Sequence, residues 1–186
     1  MCDFHSTVWR LLGQDAQCAH DSQNSHSEAV QKAGWRDNEP NRKINLFEAE
    51  WNGEGDLPSD EKLVRNSGEC PEKLMIAIRR HYLRLQKFIQ SGEEWKHFAD
   101  IEKWADVWGK IKVLPADVKF PAECGYLYLS SLTSLPADVK FPTKIGGYLD
   151  LRSLTSLPAD VKFPTKIGGY LDLSSLTSLP DRKSVV

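Results

Sequence analysis

Residue types that can do chemistry are concentrated at the start of the chain. Three of the five histidines fall within the first 28 residues, together with two of the cysteines and a glutamate: His5, His20, His26, Cys2, Cys18 and Glu28. Imidazole and thiol groups can exchange protons near neutral pH, and both bind metal ions. This segment is therefore the first place to look for a catalytic or metal site.

One candidate mechanism uses a cysteine nucleophile. Removal of Met1 would make Cys2 the N-terminal residue, whose own α-amine could act as a base for its thiol, as in N-terminal-nucleophile hydrolases. In an antiparallel hairpin the start of the first strand lies beside the end of the second, so Cys2 could approach the later histidines. The candidate catalytic residues are Cys2, His5, His26 and Glu28.

A metal site is the alternative that the same segment offers. Imidazole nitrogen and carboxylate oxygen suit zinc and iron, and a site that leaves one position open can activate a bound water. The candidate metal ligands are His5, His20, His26 and Glu28. The sequence thus predicts no cofactor if these side chains are structural, and zinc or iron if they are ligands.

Glu28 also has a structural explanation. Ser25 precedes it by three residues, which is the spacing of a capping box at the start of a helix, and Gly34 is placed to end that helix. The pair His26-x-Glu28 is similar to one part of the zinc deaminase signature, but no Pro-Cys-x-x-Cys segment follows it. The deaminase family is therefore not supported.

Short strands and helices must position these residues. Alternation of apolar and polar residues predicts three strands, at residues 4–12, 16–20 and 44–51. Amphipathic periodicity predicts three helices, at residues 25–34, 70–90 and 93–112. The last of these has an apolar arc wider than one stripe, which includes Trp95, Trp104 and Trp108. We expect it to cap the repeats that follow, because the terminal copy of a repeat array needs a cover.

A tandem repeat fills the rest of the chain. A block of 22 residues occurs twice in succession over residues 134–177, with a single difference, Arg152 in the first block and Ser174 in the second. A degenerate copy of 21 residues begins at Val113, and a further copy begins at Ser178. One such copy cannot bury its own apolar face, so neighbouring copies must stack. The array therefore predicts a solenoid, an architecture that usually serves for binding.

The repeat also predicts which side chains face a partner. Residues 148–152 alternate as a half-buried strand with Leu149 and Leu151 inward. Stacking at about 4.8 Å per copy would turn each outward position into a column, and tyrosine and arginine are enriched among interface hot spots. The predicted partner-binding residues are Tyr126, Tyr128, Tyr148, Asp150, Arg152, Tyr170 and Asp172. The competing explanation is that the tyrosines lie flat and shield the sheet.

The Leu-Thr-Ser-Leu-Pro element and the Gly-Gly-Tyr-Leu-Asp-Leu-Ser-Ser-Leu block resemble leucine-rich-repeat-type arrays of uncharacterised bacterial and phage proteins, over residues 113–180. The resemblance implies recognition of a partner, usually another protein, by a repeated face. The usual asparagine position falls on Arg152 or Ser174, so the asparagine ladder of a typical horseshoe is missing. A straighter β-solenoid is the alternative, with columns at Ser153, Thr155 and Ser156 joining its coils.

Charge and composition exclude several classes of function. Residues 1–112 carry 16 Lys and Arg against 19 Asp and Glu, so they present no basic field for nucleic acid, which needs clustered cations. No apolar run has the length of a membrane span, and the first residues do not form a secretory signal. The four cysteines show no disulfide framework. We expect reduced thiols, a cytoplasmic location, and neither nucleic-acid nor membrane partners.

The last six residues, 181–186, break the repeat abruptly. Their sequence resembles the translation of a common short-read sequencing adapter, so we expect a non-native tail on a metagenomic fragment whose gene carries further repeats. The unpaired edge of the last copy would also allow self-association.

These patterns predict an α+β protein with four segments. They are an α+β N-terminal domain at residues 1–92, an amphipathic capping helix at 93–112, a leucine-rich-repeat-like β-solenoid with parallel sheets at 113–180, and the tail at 181–186. The expected function is repeat-mediated binding of a protein partner, in a protein of phage or mobile-element type. The alternatives are a small hydrolase or metal-dependent enzyme in the N-terminal domain, targeted by the repeats, and a purely structural repeat protein.

Overall fold

The computed structural model describes residues 5–22, 25–35 and 46–179. The chain divides into two compact units, residues 1–86 and 87–186. The first contains an antiparallel sheet with helices, and the second contains short helices and two small parallel sheets. The predicted mixture of helix and strand is therefore confirmed. The first unit ends at residue 86, inside a long helix. The sequence predicts a later end for the first domain, at residue 92.

Three antiparallel strands form the sheet of the first unit. They are β1 (His5–Leu12), β2 (Asp15–Ala19) and β3 (Phe47–Trp51), in the order β2-β1-β3. Gly13, with φ of +59°, makes the tight turn between β1 and β2. Both the predicted hairpin and the third strand are confirmed, and residues 4, 44 and 45 of those predictions lie outside the described residues.

Helix α1 (His26–Lys32) begins with the capping box that the sequence predicts. The Glu28 N–H donates to Ser25 Oγ at 3.4 Å, and the Ser25 N–H donates to Glu28 Oε2 at 2.9 Å. Gly34 follows the helix with a positive φ of 71°. The buried side of α1 belongs to an apolar cluster on one face of the sheet, which consists of Val8, Ala19, Ala29, Val30 and Trp35.

The other face of the sheet carries a buried polar network. After α2 (Asp60–Leu63) and a 3-10 turn (Ser67–Glu69), α3 (Glu72–Ser91) brings Tyr82 to this face. The Tyr82 hydroxyl donates to the carbonyl oxygen of Ala49 at 2.6 Å and lies 3.0 Å from the Thr7 hydroxyl. The indole N–H of Trp9 donates to Thr7 Oγ1 at 2.7 Å. These side chains satisfy one another's hydrogen bonds, which is the condition for burying them.

The predicted continuous helix over residues 93–112 is wrong. The segment contains a 3-10 turn (Trp95–Phe98) and the short helix α4 (Ala105–Trp108). Glu94 has a left-handed conformation with φ of 61°, and the side chain of Asp100 accepts the Lys103 N–H at 3.0 Å, which starts a new turn. Each of these features interrupts the run of helical backbone hydrogen bonds.

Aromatic packing explains why the segment folds back. The indole N–H of Trp108 donates to the carbonyl of Phe98 at 2.8 Å. Phe88 stacks on Phe98 with 5.2 Å between ring centroids and meets Trp108 edge-on at 4.9 Å. The wide apolar arc therefore surrounds a small aromatic core, which a single straight helix could not enclose. The segment also contacts the first repeat, where the Ser131 N–H donates to the carbonyl of Gly109 at 3.1 Å.

The repeats form two parallel sheets of two-residue strands. In chain order the strands are β4 (Glu123–Cys124), β5 (Leu127–Tyr128), β6 (Lys144–Ile145), β7 (Leu149–Asp150), β8 (Lys166–Ile167) and β9 (Leu171–Asp172). One sheet has the order β4-β6-β8, and the other has the order β5-β7-β9. Leu149 and Leu151 are fully buried, as predicted. Of the strand predicted over residues 148–152, only β7 is a strand in the structure. The strands β4, β6 and β8 have no counterpart among the predicted strands.

A phenylalanine column runs along a third line of the repeats. Phe120 and Phe141 stack with 6.4 Å between ring centroids, and Phe141 and Phe163 with 5.9 Å. Lys140 and Lys162 form an isolated parallel bridge beside it. Among the described residues, no helix is long and apolar enough to cross a membrane.

Candidate functional site

The predicted partner-binding residues lie on the sheet β5-β7-β9, and we call this surface the tyrosine face (Tyr126, Tyr128, Tyr148, Asp150, Arg152, Tyr170 and Asp172). The parallel register places Tyr128 beside Asp150 and Asp150 beside Asp172. Equivalent positions of successive copies are therefore neighbours, as the repeat spacing predicts. The order of residues along one copy becomes a set of columns across the sheet.

The first column consists of tyrosine rings. The ring centroids of Tyr126 and Tyr148 are 5.5 Å apart, and those of Tyr148 and Tyr170 are 4.1 Å apart. The rings of Tyr126 and Tyr148 also lie over a glycine of the next copy, since a Cβ placed on Gly147 would be 2.4 Å from the ring of Tyr126 and one on Gly169 would be 2.6 Å from the ring of Tyr148. Even so, 39 % of Tyr126 and 63 % of Tyr170 remain exposed. The tyrosines thus shield the backbone of the next copy and still present aromatic surface to solvent.

Tyr128 begins the second column beside the first. Its ring is nearly parallel to that of Tyr126, with 6.0 Å between centroids. Burial raises the pKa of the Tyr128 hydroxyl, and the neighbouring Tyr126 raises it further. The phenol is therefore a neutral hydrogen-bonding group at physiological pH.

Asp150 is not exposed, in contrast to the prediction. Only 7 % of its side chain is accessible, because the guanidinium of Arg152 lies over the carboxylate. Arg152 Nη2 donates to Asp150 Oδ2 at 2.6 Å, and Arg152 Nε lies 3.0 Å from both carboxylate oxygens. These hydrogen bonds, together with the charge of Asp150, raise the pKa of Arg152. The outward charge at this position is therefore carried by Arg152.

Asp172 occupies the same position in the next copy and has the same kind of backbone hydrogen bond, since the Arg152 N–H also donates to Asp150 Oδ1 at 3.1 Å, but a serine takes the place of the arginine side chain. The Ser174 N–H donates to Asp172 Oδ1 at 3.0 Å. Hydrogen bonds from the Ser174 side chain and backbone lower the pKa of Asp172. Arg152 Nε lies 3.8 Å from the other oxygen of Asp172, so the arginine connects the two aspartates.

Of the N-terminal candidates, the structure describes the side chains of His20, His26 and Glu28. Cys2 lies outside the described residues, and so does the side chain of His5, whose backbone pairs with Trp51 at the start of β1. Glu28 is occupied by the capping box, and its hydrogen bonds with Ser25 lower the pKa of its carboxyl. In the part of the chain that the structure describes, no three His, Cys, Asp or Glu side chains are grouped so that they could hold a metal ion.

His20 and His26 converge on Ser6, a residue that is not among the predicted site residues. His20 Nδ1 lies 2.8 Å from the carbonyl oxygen of Ser6, and His26 Nε2 lies 2.6 Å from Ser6 Oγ. The other ring nitrogen of His26, Nδ1, is 3.7 Å from Glu48 Oε1. Ser6 and Glu48 are on neighbouring strands, and no local sequence signal identifies that pairing.

Arg65 completes this cluster from the segment after α2. Its backbone N–H donates to the carbonyl of Glu48 at 2.8 Å, and its Nη1 lies 2.8 Å from Glu48 Oε2. A cavity of about 300 Å³ opens beside His26. Its walls are apolar at Val8, Val30 and Leu46, and polar at His26, Glu48, Arg65 and Asn66.

The three cysteines within the described residues, Cys18, Cys70 and Cys124, form no disulfide. Burial, with a smaller contribution from the charge of Glu102, raises the pKa of Cys124 to about 11. Burial also raises the pKa of Cys70. Neither thiol has the lowered pKa that marks a reactive cysteine.

Comparisons with protein-family models, with curated proteins and with solved structures found no match to this chain.

Proposed function

We propose that the second unit binds a partner protein through the tyrosine face, and that residues 113–180 form a leucine-rich-repeat-like β-solenoid that supports this face. Threonine side chains that link successive copies favour the straighter form. Thr165 Oγ1 donates to the carbonyl of Thr143 at 3.0 Å, and Thr177 Oγ1 donates to that of Thr155 at 3.1 Å. Such links take the place of an asparagine ladder.

The exposed tyrosine column is the observation that carries the proposal. Tyr126, Tyr148 and Tyr170 pack against one another, and glycines of the next copy lie beneath Tyr126 and Tyr148. A partner would therefore immobilise them at little cost in side-chain entropy, which otherwise opposes association. Aromatic rings that are rigid and partly exposed combine large contact area with a polar hydroxyl.

Charge on the face suggests what the partner presents. Arg152 neutralises Asp150 and keeps 58 % of its own side chain exposed. Asp172 retains a hydrogen-bonded carboxylate near it. We expect a partner surface with apolar groups over the tyrosines and a hydrogen-bond donor or cation opposite Asp172, because two carboxylates surround one guanidinium here and buried interface charges need partners.

The experiment uses a photo-crosslinking amino acid in the full chain. p-Benzoylphenylalanine replaces Ser174 on the face, which keeps every tyrosine, or replaces Lys162 as a control position away from it. Crosslinked proteins are identified by mass spectrometry, and the protein that is captured only from position 174 is purified. The affinity of this protein is then measured for three forms of the chain: the wild type, the double variant Tyr148→Ser/Tyr170→Ser and the control double variant Lys140→Ser/Lys162→Ser.

Loss of hot-spot side chains costs about 2 kcal/mol or more, so we expect the tyrosine variant to bind at least about 30-fold more weakly. The lysine variant should keep its affinity. Equal affinity of the wild type and a folded tyrosine variant would rule the face out. A crosslink to a second copy of this chain would mean that the face joins copies, which is the self-association that an unpaired sheet edge permits.

A further inference from the structure

The first unit holds a hydroxyl, an imidazole and a carboxylate in series. Ser6 Oγ lies 2.6 Å from His26 Nε2, and His26 Nδ1 lies 3.7 Å from Glu48 Oε1. This is the order of groups in which a histidine takes the proton of a serine and a carboxylate orients the histidine. Distances to the orienting carboxylate are often long when no substrate is bound.

Regular elements hold all three residues. Ser6 belongs to the central strand β1, and Glu48 belongs to the adjacent strand β3. The residue of β1 that pairs with Glu48 is Val8, which lies two positions after Ser6. Side chains two residues apart on a strand share a face. His26 is the first residue of α1, whose capping box fixes where the helix starts over that face. The arrangement therefore does not depend on a flexible loop.

Arg65 fixes the orientation of the carboxylate. Its Nη1 lies 2.8 Å from Glu48 Oε2, so Oε1 is the oxygen that faces His26. Both ring nitrogens of His26 then have assigned neighbours, and a proton on Nδ1 directed at Glu48 leaves Nε2 free to accept the proton of Ser6. This is the tautomer that a general base needs.

A cavity borders His26 and offers room for a leaving group. The base that deprotonates the serine later protonates the leaving group, so the leaving group must be close to the imidazole. The cavity of about 300 Å³ is lined by His26 and by the apolar Val30 and Leu46, and a volume in this range suits a small ligand. Arg65 and Asn66 provide hydrogen-bond donors on its wall.

We propose that Ser6 is a nucleophile that cleaves esters of short acyl chains, with His26 as its general base and acid and Glu48 as the residue that positions His26. Ser6 Oγ attacks the ester carbonyl carbon while its proton passes to His26 Nε2. The bond to the leaving alcohol breaks, and that alcohol takes the proton from His26. The acyl group remains on Ser6 as an ester.

Water completes the reaction. His26 Nε2 removes a proton from a water molecule, whose oxygen attacks the acyl carbon. The bond between that carbon and Ser6 Oγ breaks, and the proton returns from His26 to Ser6. The products are a carboxylic acid and an alcohol, and neither an oxidant nor a metal enters the balance.

The first test is covalent labelling of the full chain. A fluorophosphonate probe phosphonylates activated serine hydroxyls, and peptide mass spectrometry on the wild type locates the adduct without any variant. We expect one adduct, on Ser6. Ser6→Ala should abolish labelling, and the control Ser59→Ala should not change it, since Ser59 makes no side-chain cap bond at α2. An unlabelled wild type that is folded by circular dichroism, or an adduct on another residue, would refute the proposal.

The second test is hydrolysis of p-nitrophenyl acetate. Removal of a general base lowers a rate by about 10²–10⁴-fold, so we expect at least a 100-fold lower kcat/KM for His26→Gln. Equal rates for folded His26→Gln and wild type would also refute the proposal.

The role of Glu48 is tested by separating kcat from KM. Glu48→Gln removes the carboxylate that faces His26 Nδ1, so kcat should fall while KM stays unchanged, and Glu48→Asp, which keeps a carboxylate, should recover part of the lost rate. An unchanged kcat in a folded Glu48→Gln protein, or no recovery with aspartate, would mean that Glu48 only supports the fold. In that case its place in the proposal is wrong.

Discussion

Arg152 covers the carboxylate of Asp150 and leaves 7 % of that side chain exposed. In the next copy the same aspartate, Asp172, is bound by Ser174, and 26 % of it stays exposed. The single difference between the two 22-residue blocks, Arg152 in one and Ser174 in the other, thus determines how far the aspartate two positions before it is covered. The two copies have the same backbone register and present different charges.

Substitutions at Arg152 should separate hydrogen bonding from charge. Arg152→Ser supplies a hydroxyl like that of Ser174, and the guanidinium that it removes is mostly exposed, so we expect a loss of less than about 1 kcal/mol in the free energy of unfolding. Arg152→Leu leaves the buried carboxylate of Asp150 without a side-chain donor and should cost about 1–3 kcal/mol. Urea unfolding at neutral pH measures both, with Lys162→Leu as the control for added apolar surface. Equal costs for the two Arg152 variants would contradict this explanation.

Removing hydroxyls from the polar network of the first unit should destabilise it unequally. Tyr82→Phe keeps the ring and leaves Thr7 to bond the carbonyl of Ala49, so we expect a loss of about 1 kcal/mol. Thr7→Val also removes the hydroxyl that accepts the buried Trp9 indole N–H, and its cost should be about 1–3 kcal/mol. Denaturant unfolding monitored by tryptophan fluorescence tests the order. Tyr126→Phe, at an exposed ring, should change stability by less than about 0.5 kcal/mol.

Two glycines at equivalent repeat positions should respond differently to alanine. A Cβ on Gly168 would lie 2.0 Å from the carbonyl oxygen of Gly146, whereas a Cβ on Gly146 would have no atom nearer than 3.8 Å. Gly168→Ala forces backbone to move and should cost about 1–3 kcal/mol, the usual cost of overpacking. Gly146→Ala should be nearly neutral. Thermal unfolding of the full chain compares them, and a Gly168→Ala protein as stable as the wild type would show that the copies can separate freely.

The thiol of Cys124 should be protected from alkylation. Its pKa is raised to about 11, and a free thiol has a pKa of about 8.5. At pH 8 the thiolate population should be at least about 100-fold smaller than in the unfolded chain. Iodoacetamide labelling followed by peptide mass spectrometry, with and without urea, measures this ratio. Equal rates in the two conditions would mean that the thiol is not buried.

The same shift makes a prediction about stability at alkaline pH. Between about pH 8.5 and pH 11 the folded state keeps the Cys124 proton that the unfolded state releases, so the free energy of unfolding should fall as pH rises through this window. Cys124→Ala removes the group, and its stability should fall less steeply over that range. Urea unfolding at several pH values gives both slopes, and parallel slopes would show that Cys124 is not the group responsible.

Local pattern was sufficient for several elements. Alternation predicted β1 and β3, and the Ser25 and Glu28 spacing predicted the start of α1, because these signals depend on neighbours in sequence. The helix over residues 93–112 was predicted from apolar spacing alone. Its bulky rings pack around Phe98 instead, and the side chain of Asp100 begins a new turn. Tertiary packing of aromatic side chains overrides helical periodicity here.

The cluster around His26 shows what the sequence could not provide. His26 is a candidate because histidine is chemically versatile, but the sequence groups it with Cys2, His5, His20 and Glu28. Its described neighbours are Ser6 and Glu48, and they meet only because β3 pairs with β1 on the side opposite β2. Serine and glutamate on strands are common, so only the strand order distinguishes this pair from any other. The repeat columns could be predicted because the 22-residue period is visible in the sequence itself.

The parallel register of the repeats has a consequence for how such a gene can change. Leu149 pairs with Leu171, and Lys144 with Lys166, at an offset of 22 residues in both sheets. Recombination between the two nearly identical blocks would remove or add a whole number of codons and a whole strand in each sheet. The reading frame, the inward leucines and every column would stay in phase, while the array would change length by about 4.8 Å per copy. The length of the array can thus change in equal steps, and each added copy packs with the contacts that the existing copies already make.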